Sequence, residues 1–394
     1  KVEPPYGDAQ RTQGPGFGCE QTDMEDPTID LNNTNKNFVS INLKNEEGMK
    51  FMKKLLADAD IFVNNLRDKA LNKMGLDYET LHKEFPTLIW AQMRGYGEYG
   101  PEKDSPGFDA VCWAARGGVA NVFREDGESP AIAPQAFSDY NVGHMLATGI
   151  VSALFNRTRT GKGEKVVTNL YAGAIWGGNI GICATQFGAP YPKSRKHVPN
   201  PFNNTYRTYD DKWIYICMPQ YDKYYPMMMG LFGHEDQIEN PDTNNLTSLK
   251  ASGKNVEVID WLEKAFAKKT FDEWMAIFKE NEVPAQKCFR YTDVVKDEEA
   301  YDNDALRMVE YEAYGKRALP MTPVRFGSYG DPPVVLSKPI GYHTAEFMHD
   351  YGYSDEEIAK IAEDGGVVVY DGPEIEDRIF VSKRQAAGEA PCNW

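Results

Sequence analysis

The sequence predicts an α/β fold in which a parallel sheet wrapped by helices forms the first of two domains. Three observations predict it. Strand-like and helix-like segments alternate through the first hundred residues, which is typical of parallel sheets covered by helices. A chain of 394 residues is longer than one typical domain. The pattern also changes after residue 170, where the clean alternation ends.

The elements of the first domain follow from local pattern. Residues 38–43 alternate as a strand, and residues 46–59 place their apolar side chains on one helical face. Residues 60–63 predict a short buried strand, and residues 88–93 predict another. Between them, Asp77 is expected to cap a helix that ends before Pro86. Such sheets bind ligands at the carboxyl ends of their strands, where segments 64–67 and 94–97 lie.

The second half has different features. An apolar, glycine-rich helix is predicted over 172–186, followed by a polar stretch over 190–204. Residues 206–209 and 213–216 predict a hairpin, and 283–288 a further strand. We therefore predict a large α/β domain over 1–172, a linker over 173–200, a smaller α+β domain over 201–320, and a segment over 321–394 that returns to the first domain.

Composition excludes several classes of protein. The net charge of −16 disfavours a nucleic-acid binder. No apolar run reaches transmembrane length and no signal peptide is visible, so a cytoplasmic protein without a membrane partner is expected. The six cysteines form no C-x-x-C pair, which suits reduced thiols, and the histidines show no i, i+4 pairing, so no metal site is predicted.

The segment 137–143 (FSDYNVG) is the most informative in the chain. Asp139 lies where a helix should begin, ahead of the apolar run 145–154. A carboxylate there is stabilised by free backbone N–H groups and the helix dipole, which is expected to keep it ionised. An ionised, positioned carboxylate can act as a nucleophile. From spacing alone a simple N-cap is the commoner interpretation.

Several motifs, taken together, favour the nucleophile over the N-cap interpretation of Asp139. They lie in order along nearly the whole chain: KVEPPYGD at 1–8, INLK at 41–44, GYGEYGP at 95–101, GFD at 107–109, the Asp139 segment, TGKGE at 160–164, PIGYHT at 339–344 and YGYS at 351–354. In these motifs the sequence resembles the class III CoA-transferases. The resemblance implies a Rossmann-like large domain and interlocked homodimers. It also implies a further strand–helix unit ahead of Lys1.

The resemblance implies roles for individual residues. Asp139 matches the family's nucleophile, which forms a mixed anhydride and then an enzyme–CoA thioester. Asp109 matches a second acidic position of the active site, although a helix cap for 110–115 is an equal interpretation. Phe108 stands where the family's racemase branch has histidine. Because phenylalanine cannot move a proton, transfer is favoured over racemisation.

For CoA binding, the resemblance aligns seven residues with contacts to the nucleotide and pantetheine. They are Ile41, Lys44, Asn65, Leu66, Lys73, Met74 and Phe108. The two lysines are plausible phosphate partners, although most lysines are solvated surface charges. CoA is expected as a substrate, as coenzyme A or acyl-CoA, and no tightly bound cofactor is expected.

The segments 35–45 and 71–101 look closest to the branch that acts on 2-hydroxy acids in amino-acid fermentation. That branch moves CoA from an enoyl- or aryl-enoyl-CoA, such as cinnamoyl-CoA, to an acid such as phenyllactate. Two alternatives stay open. One is other acyl-CoA chemistry of the family, of the carnitine-transfer or racemase type; the other is a non-catalytic acyl-CoA binder.

Overall fold

A computed structural model describes residues 1–327 and 330–389. The described chain forms two compact units. Unit 1 contains, among the described residues, 1–109, 135–173, 292–327 and 330–389. Unit 2 contains residues 110–134 and 174–291. Both units are therefore built from segments that are discontinuous in the sequence.

The strands of the described chain are short. In chain order they are β1 (Val2–Glu3), β2 (Val39–Ile41), β3 (Ile61–Asn64), β4 (Ile89–Arg94), β5 (Lys165–Asn169), β6 (Asn203–Arg207), β7 (Trp213–Cys217), β8 (Ala285–Lys287), β9 (Leu306–Tyr311), β10 (Gly315–Pro320), β11 (Val334–Val335), β12 (Val367–Val368) and β13 (Ile379–Phe380).

The helices are more numerous. They are α1 (Pro27–Asn33), α2 (Glu46–Asp58), α3 (Asp68–Met74), α4 (Tyr78–Glu84), α5 (Val119–Val122), α6 (Phe137–Thr160), α7 (Leu170–Gly177), α8 (Asn179–Thr185), α9 (Tyr221–Phe232), α10 (Leu246–Ser252), α11 (Asn255–Phe266), α12 (Phe271–Glu280), α13 (Tyr291–Val294), α14 (Glu298–Asp302), α15 (Thr344–Asp350), α16 (Asp355–Glu363) and α17 (Lys383–Ala386). A π-helix covers Ala110–Arg116.

Unit 1 contains the predicted parallel sheet, divided in two. Strands β3, β4 and β5 pair in parallel, in that order. Strand β2 belongs instead to a second sheet, where it pairs in parallel with β1 and antiparallel with β12. The strands predicted at 38–43, 60–63 and 88–93 are confirmed, and the parallel order holds for two of them. The expectation that all three share one sheet is wrong within the described residues.

Helix α2 shows how the apolar pattern builds the core of unit 1. Its buried side chains, which include Phe51 and Leu56, recur at helical spacing and pack with the β2 side chains. Asn45 begins the helix by accepting hydrogen bonds from the N–H groups of Glu47 and Gly48. Asp77 caps α4 as predicted, by accepting from the N–H of Thr80 at 3.0 Å.

Unit 2 is built on the antiparallel sheet β6–β7–β8. This confirms the predicted hairpin and the strand near 285. Its core is aromatic and includes the buried side chains of Tyr206, Phe266 and Trp274. The single helix predicted over 172–186 is wrong, because the chain forms α7 and α8 with Gly178 between them. Two consecutive glycines weaken the helix at that point.

The predicted domain boundaries at 172, 200 and 320 stay predictions, and the compact units differ from them in two segments. Residues 110–134 belong to unit 2, and residues 292–320 belong to unit 1. Strands β9 and β10 lie in that second segment and form a hairpin. Farther along the chain, β12 pairs antiparallel with β2, and the predicted return of residues 321–394 to the first domain stays a prediction.

Candidate active site

Asp139 is the third residue of α6, within the first helical turn. The helix begins at Phe137 because Ala136 adopts φ 56° and ψ 10°, a left-handed conformation that is uncommon for a residue other than glycine. Ala136 offers no side chain that could cap the helix. Asp139 is therefore not the N-cap residue, and the commoner interpretation of the sequence pattern does not hold.

The first turn of α6 keeps polar groups without partners. Within residues 1–327 and 330–389, the carboxyl group of Asp139 accepts no hydrogen bond and its backbone N–H finds no acceptor. The N–H of Ser138 also lacks an acceptor. The hydroxyl of Ser138 is fully buried without a hydrogen-bond partner. The first N–H groups of any α-helix lack intrahelical acceptors, whereas an unpaired buried hydroxyl such as that of Ser138 is uncommon and costly.

The electrostatic surroundings of Asp139 differ from the sequence-based expectation. Burial raises the pKa of the Asp139 carboxyl, and the charge of Asp109 raises it further. The expectation that the helix terminus stabilises the ionised carboxylate stays a prediction, because the net shift of this pKa is upward. Desolvation and a like charge both disfavour the charged form of a carboxyl group.

Asp109 and Phe108 lie in the same unit as Asp139, just before the π-helix. The structure thus brings the two predicted catalytic carboxyl groups within electrostatic reach of one another. Asp109 is partly buried, whereas the Phe108 side chain is 77% exposed. A pair of carboxyl groups with one raised pKa is a common arrangement in active sites.

The predicted CoA contacts lie around the carboxyl ends of β2 and β3. Lys44 is exposed in the turn after β2, and Asn65 and Leu66 are exposed in the loop after β3. Lys73 and Met74 end α3, where Lys73 is exposed. Among the described residues, neither lysine forms an ion pair, so both charges are available.

Ile41 is the exception among the predicted contacts. It ends β2 and is only 1% exposed, because it packs in the core of unit 1. The structure therefore does not present it to a ligand. The apolar face of β2 already explains an isoleucine at this position.

A polar support beneath the β3–α3 loop was not assigned from the sequence. Gln92, on β4, donates from Nε2 to the carbonyl oxygen of Leu66 at 2.7 Å. Arg94 donates from Nη1 to both carboxylate oxygens of Asp68, at 2.7 and 2.8 Å. These bonds hold the end of the loop nearest α3, from Leu66 to Asp68, directly after Asn65. The signal that could have found them is the pair of polar side chains near the end of an otherwise apolar strand.

Metal and membrane features can be stated for the described ranges only. Residues 1–327 and 330–389 contain no group of three or more His, Cys, Asp or Glu side chains that could hold a metal ion. Over the same residues, no helix is both long and apolar enough to span a bilayer. The five described cysteines are free thiols, and Cys392 lies outside the described residues.

The model of CoA-transferase family III matches residues 1–344 of the chain. Because this match covers most of the chain, the chain belongs to that family, and its class of enzyme is CoA-transferase. The resemblance inferred from the motifs is confirmed.

The most informative relatives are transferases of hydroxy acids. The chain is 39% identical over 372 residues to the cinnamoyl-CoA:phenyllactate CoA-transferase of Clostridium sporogenes, with 94% of this chain and 90% of that protein covered. It is 38% identical over 370 residues to the (R)-2-hydroxy-4-methylpentanoate CoA-transferase of Clostridioides difficile, covering 94% and 92%. Among solved structures, Rv3272 of M. tuberculosis has a TM-score of 0.72 at 27% identity, covering 88% of this chain and 90% of that one.

Proposed function

We propose that this protein moves CoA from an enoyl- or aryl-enoyl-CoA to a 2-hydroxy acid, with Asp139 as the nucleophile. The observation that carries the proposal is the half-buried Asp139 carboxyl, which has no hydrogen-bond partner in the described chain and lies within reach of the charge of Asp109. Two hydroxy-acid transferases among the relatives support the substrate class.

The reaction begins at the thioester carbonyl. A carboxylate oxygen of Asp139 attacks that carbon, the C–S bond breaks, and CoA leaves as the thiolate. The product on the enzyme is a mixed anhydride. The thiolate then attacks the Asp139 carbonyl carbon, which releases the first acid as its carboxylate and leaves an aspartyl–CoA thioester.

The second half reverses these steps with a new acid. The carboxylate of the 2-hydroxy acid attacks the aspartyl thioester, the C–S bond breaks, and a second anhydride forms. The CoA thiolate attacks the acyl carbon of the hydroxy acid, which restores the Asp139 carboxylate. No net proton, oxidant or metal ion is needed for this balance.

The described residues near Asp139 offer support for these steps. The unpaired N–H groups of Ser138 and Asp139 are donors available to an oxygen that gains negative charge. Asp109 raises the pKa of Asp139 and so makes its carboxylate more basic. A more basic carboxylate is a stronger nucleophile toward a thioester. We assign Asp109 this electrostatic role.

For CoA we retain the exposed lysines and the loop after β3. Lys44 and Lys73 supply unpaired positive charge for phosphate groups. Leu66 and the partly buried Met74 supply apolar surface for the adenine, and Phe108, exposed beside Asp109, supplies it for the pantetheine arm. In this assignment CoA is a substrate, and no tightly bound cofactor takes part.

We further propose that a second copy of the chain completes the enzyme, as a homodimer. Each unit leaves large apolar side chains exposed: Val151 and Phe155 on α6 in unit 1, and Ile180 and Phe187 in unit 2. The last two are 80% and 86% exposed. Exposed apolar groups of this size are typical of surfaces that another chain covers. A cytoplasmic enzyme of amino-acid fermentation fits this set of proposals.

Trapping the covalent intermediate tests the mechanism. The protein is incubated with cinnamoyl-CoA, treated with hydroxylamine and digested for peptide mass analysis. A hydroxamate on Asp139 is expected, and Asp139→Ala should give neither hydroxamate nor exchange while still binding CoA. Glu257→Gln is the matched control, because Glu257 is also the third residue of its helix, α11. An unmodified wild-type protein that binds CoA would instead identify a binder.

A substrate screen tests the acid. Phenyllactate and 2-hydroxy-4-methylpentanoate are compared as acceptors with oxalate and carnitine at equal concentration. The hydroxy acids should give the higher kcat/KM. Preference for oxalate or carnitine would show that the proposed class of acceptor acid is wrong, without contradicting the proposed covalent intermediate. Inversion of a 2-methylacyl-CoA without CoA transfer would identify a racemase.

A further inference from the structure

Gly143 lies inside α6, four residues after Asp139. Glycine is destabilising in a helix interior relative to alanine, because it loses more backbone freedom on folding. A Cβ built at Gly143 meets no heavy atom within 4 Å, apart from its own chain neighbours and the surrounding helix backbone. The described chain therefore gives no packing reason for glycine at this position.

Other glycines near this helix do have a packing reason. A Cβ at Gly149, also in α6, would come within 2.7 Å of Cγ1 of Val166. A Cβ at Gly173 would overlap Cγ2 of Val142. Both positions require the absence of a side chain because a neighbouring element lies too close. Gly143 differs from them because the space beside it is open.

The direction of helical side chains indicates which space this is. Residues at i and i+4 lie on the same face, with Cβ atoms about 5–6 Å apart. Side chains lean toward the helix N-terminus, so a side chain at 143 would extend over the turn that contains Asp139. It would occupy the volume beside the Asp139 carboxyl. Val142 is buried on the other flank.

We propose that Gly143 determines specificity by keeping open the space that the acyl group occupies while it is bound to Asp139. This inference rests on the proposed function. In the mixed anhydride, the acyl carbon is joined to a carboxylate oxygen of Asp139, so its substituent must lie beside that carboxyl. Glycine at 143 admits a branched or aryl acyl group, and any larger side chain restricts the site to small acids.

The test compares large and small acyl groups in Gly143→Ala and Gly143→Leu. For the pair cinnamoyl-CoA and phenyllactate, kcat/KM should fall by roughly tenfold or more, since differences of one or a few methyl groups discriminate on this scale. For the pair propionyl-CoA and lactate it should change by no more than about twofold, well below that discrimination. Gly143→Ala should also unfold at the same temperature as the wild type, or higher.

Gly230→Ala is the matched control. Gly230 lies inside α9 in unit 2, and a Cβ there also meets nothing within 4 Å. It should leave the ratio of the two activities unchanged.

Three results would overturn the inference. Equal losses for both substrate pairs with weakened CoA binding would assign the space to CoA. A change in oligomeric state would assign it to a second copy, and an unchanged substrate ratio in Gly143→Leu would leave glycine without this role. A wild-type protein that exchanges neither pair and gives no hydroxamate would contradict the proposed function instead.

Discussion

The negative charge of Asp109 raises the pKa of Asp139. Both residues belong to unit 1 and are distant in the sequence. The interaction adds to the larger effect of burial, so both influences disfavour the charged form of Asp139. The nucleophile of the proposed reaction is therefore a carboxylate that the fold destabilises.

Replacing Asp109 should change the pH dependence of the reaction. In Asp109→Asn the like charge is absent, so the pKa of Asp139 falls toward its usual range. Since the ionised Asp139 attacks, the acidic limb of the kcat/KM profile should move to lower pH. Asp104→Asn removes an exposed carboxylate from the same segment and should leave that limb in place. If the acidic limb does not move in Asp109→Asn, then Asp109 does not influence the ionisation of Asp139 in the reaction.

Replacing Asp139 itself should stabilise the protein. A carboxyl whose pKa is raised in the folded state lowers stability above its unfolded pKa, near 3.8, and has no effect below it. Asp139→Asn should therefore raise the unfolding temperature at neutral pH, while it abolishes exchange. The difference should diminish as the pH falls through the folded pKa toward the unfolded value.

Thermal unfolding of Asp139→Asn across the pH range measures this effect. Glu257→Gln, at the same helical position but exposed, should show no comparable gain. Equal stability of Asp139→Asn and the wild type at neutral pH would contradict the raised pKa. Gains in stability from loss of a functional residue are a common trade-off at active sites.

The sequence pattern predicted the helices and strands that are determined by residues within the segment itself. Strands β3 and β4 and helices α2 and α4 were predicted because their apolar spacing and caps lie within each segment. The two-residue strand β12 was not predicted as a strand, because its pairing with β2 depends on chain folding over more than three hundred residues. Consecutive glycines divide the predicted helix into α7 and α8. The apolar run favoured one continuous helix, but the helix is interrupted at Gly178.

The candidate site was predictable in its residue types and less so in its energetics. An acid near the start of an apolar helix identified Asp139, but the helix begins two residues earlier because Ala136 takes a left-handed conformation. The direction of the pKa shift depends on burial and on Asp109, and neither is a local property. Burial likewise removes Ile41 from the accessible surface.

The Arg94–Asp68 ion pair should support CoA binding indirectly. Burial raises the pKa of Asp68, but the hydrogen bond and charge of Arg94 outweigh it, so the net pKa is lowered. Arg94→Gln removes this anchor from the loop that carries Leu66, so KM for acyl-CoA should rise more than kcat falls. Because Asp68 is 42% exposed, the free energy of unfolding should fall by only about 1 kcal/mol.

Steady-state kinetics and chemical denaturation test this pair together. Arg157→Gln is the matched control, since Arg157 donates to the Asp60 carboxylate at 2.6 Å in the same unit. It should change stability by a similar small amount and leave KM for acyl-CoA unaffected. A KM unchanged in Arg94→Gln would show that the loop keeps its conformation without the ion pair.

Lys44 and Lys73 should contribute to CoA affinity through their charge. Each is exposed and forms no ion pair in the described part of the chain, so each can approach a phosphate at little cost. Lys44→Ala and Lys73→Ala should each weaken CoA binding by about 1 kcal/mol or less, as for exposed charges, and added salt should diminish the effect.

Titration calorimetry with CoA and with dephospho-CoA identifies which phosphate group each lysine contacts. If a lysine binds the 3′-phosphate, its replacement should no longer weaken binding when dephospho-CoA is the ligand. Lys50→Ala is the control, because Lys50 is already paired with Glu46 and Glu47 on α2 and should leave CoA affinity unchanged. Equal affinities for CoA in Lys44→Ala, Lys73→Ala and Lys50→Ala would place the phosphate site elsewhere on the protein.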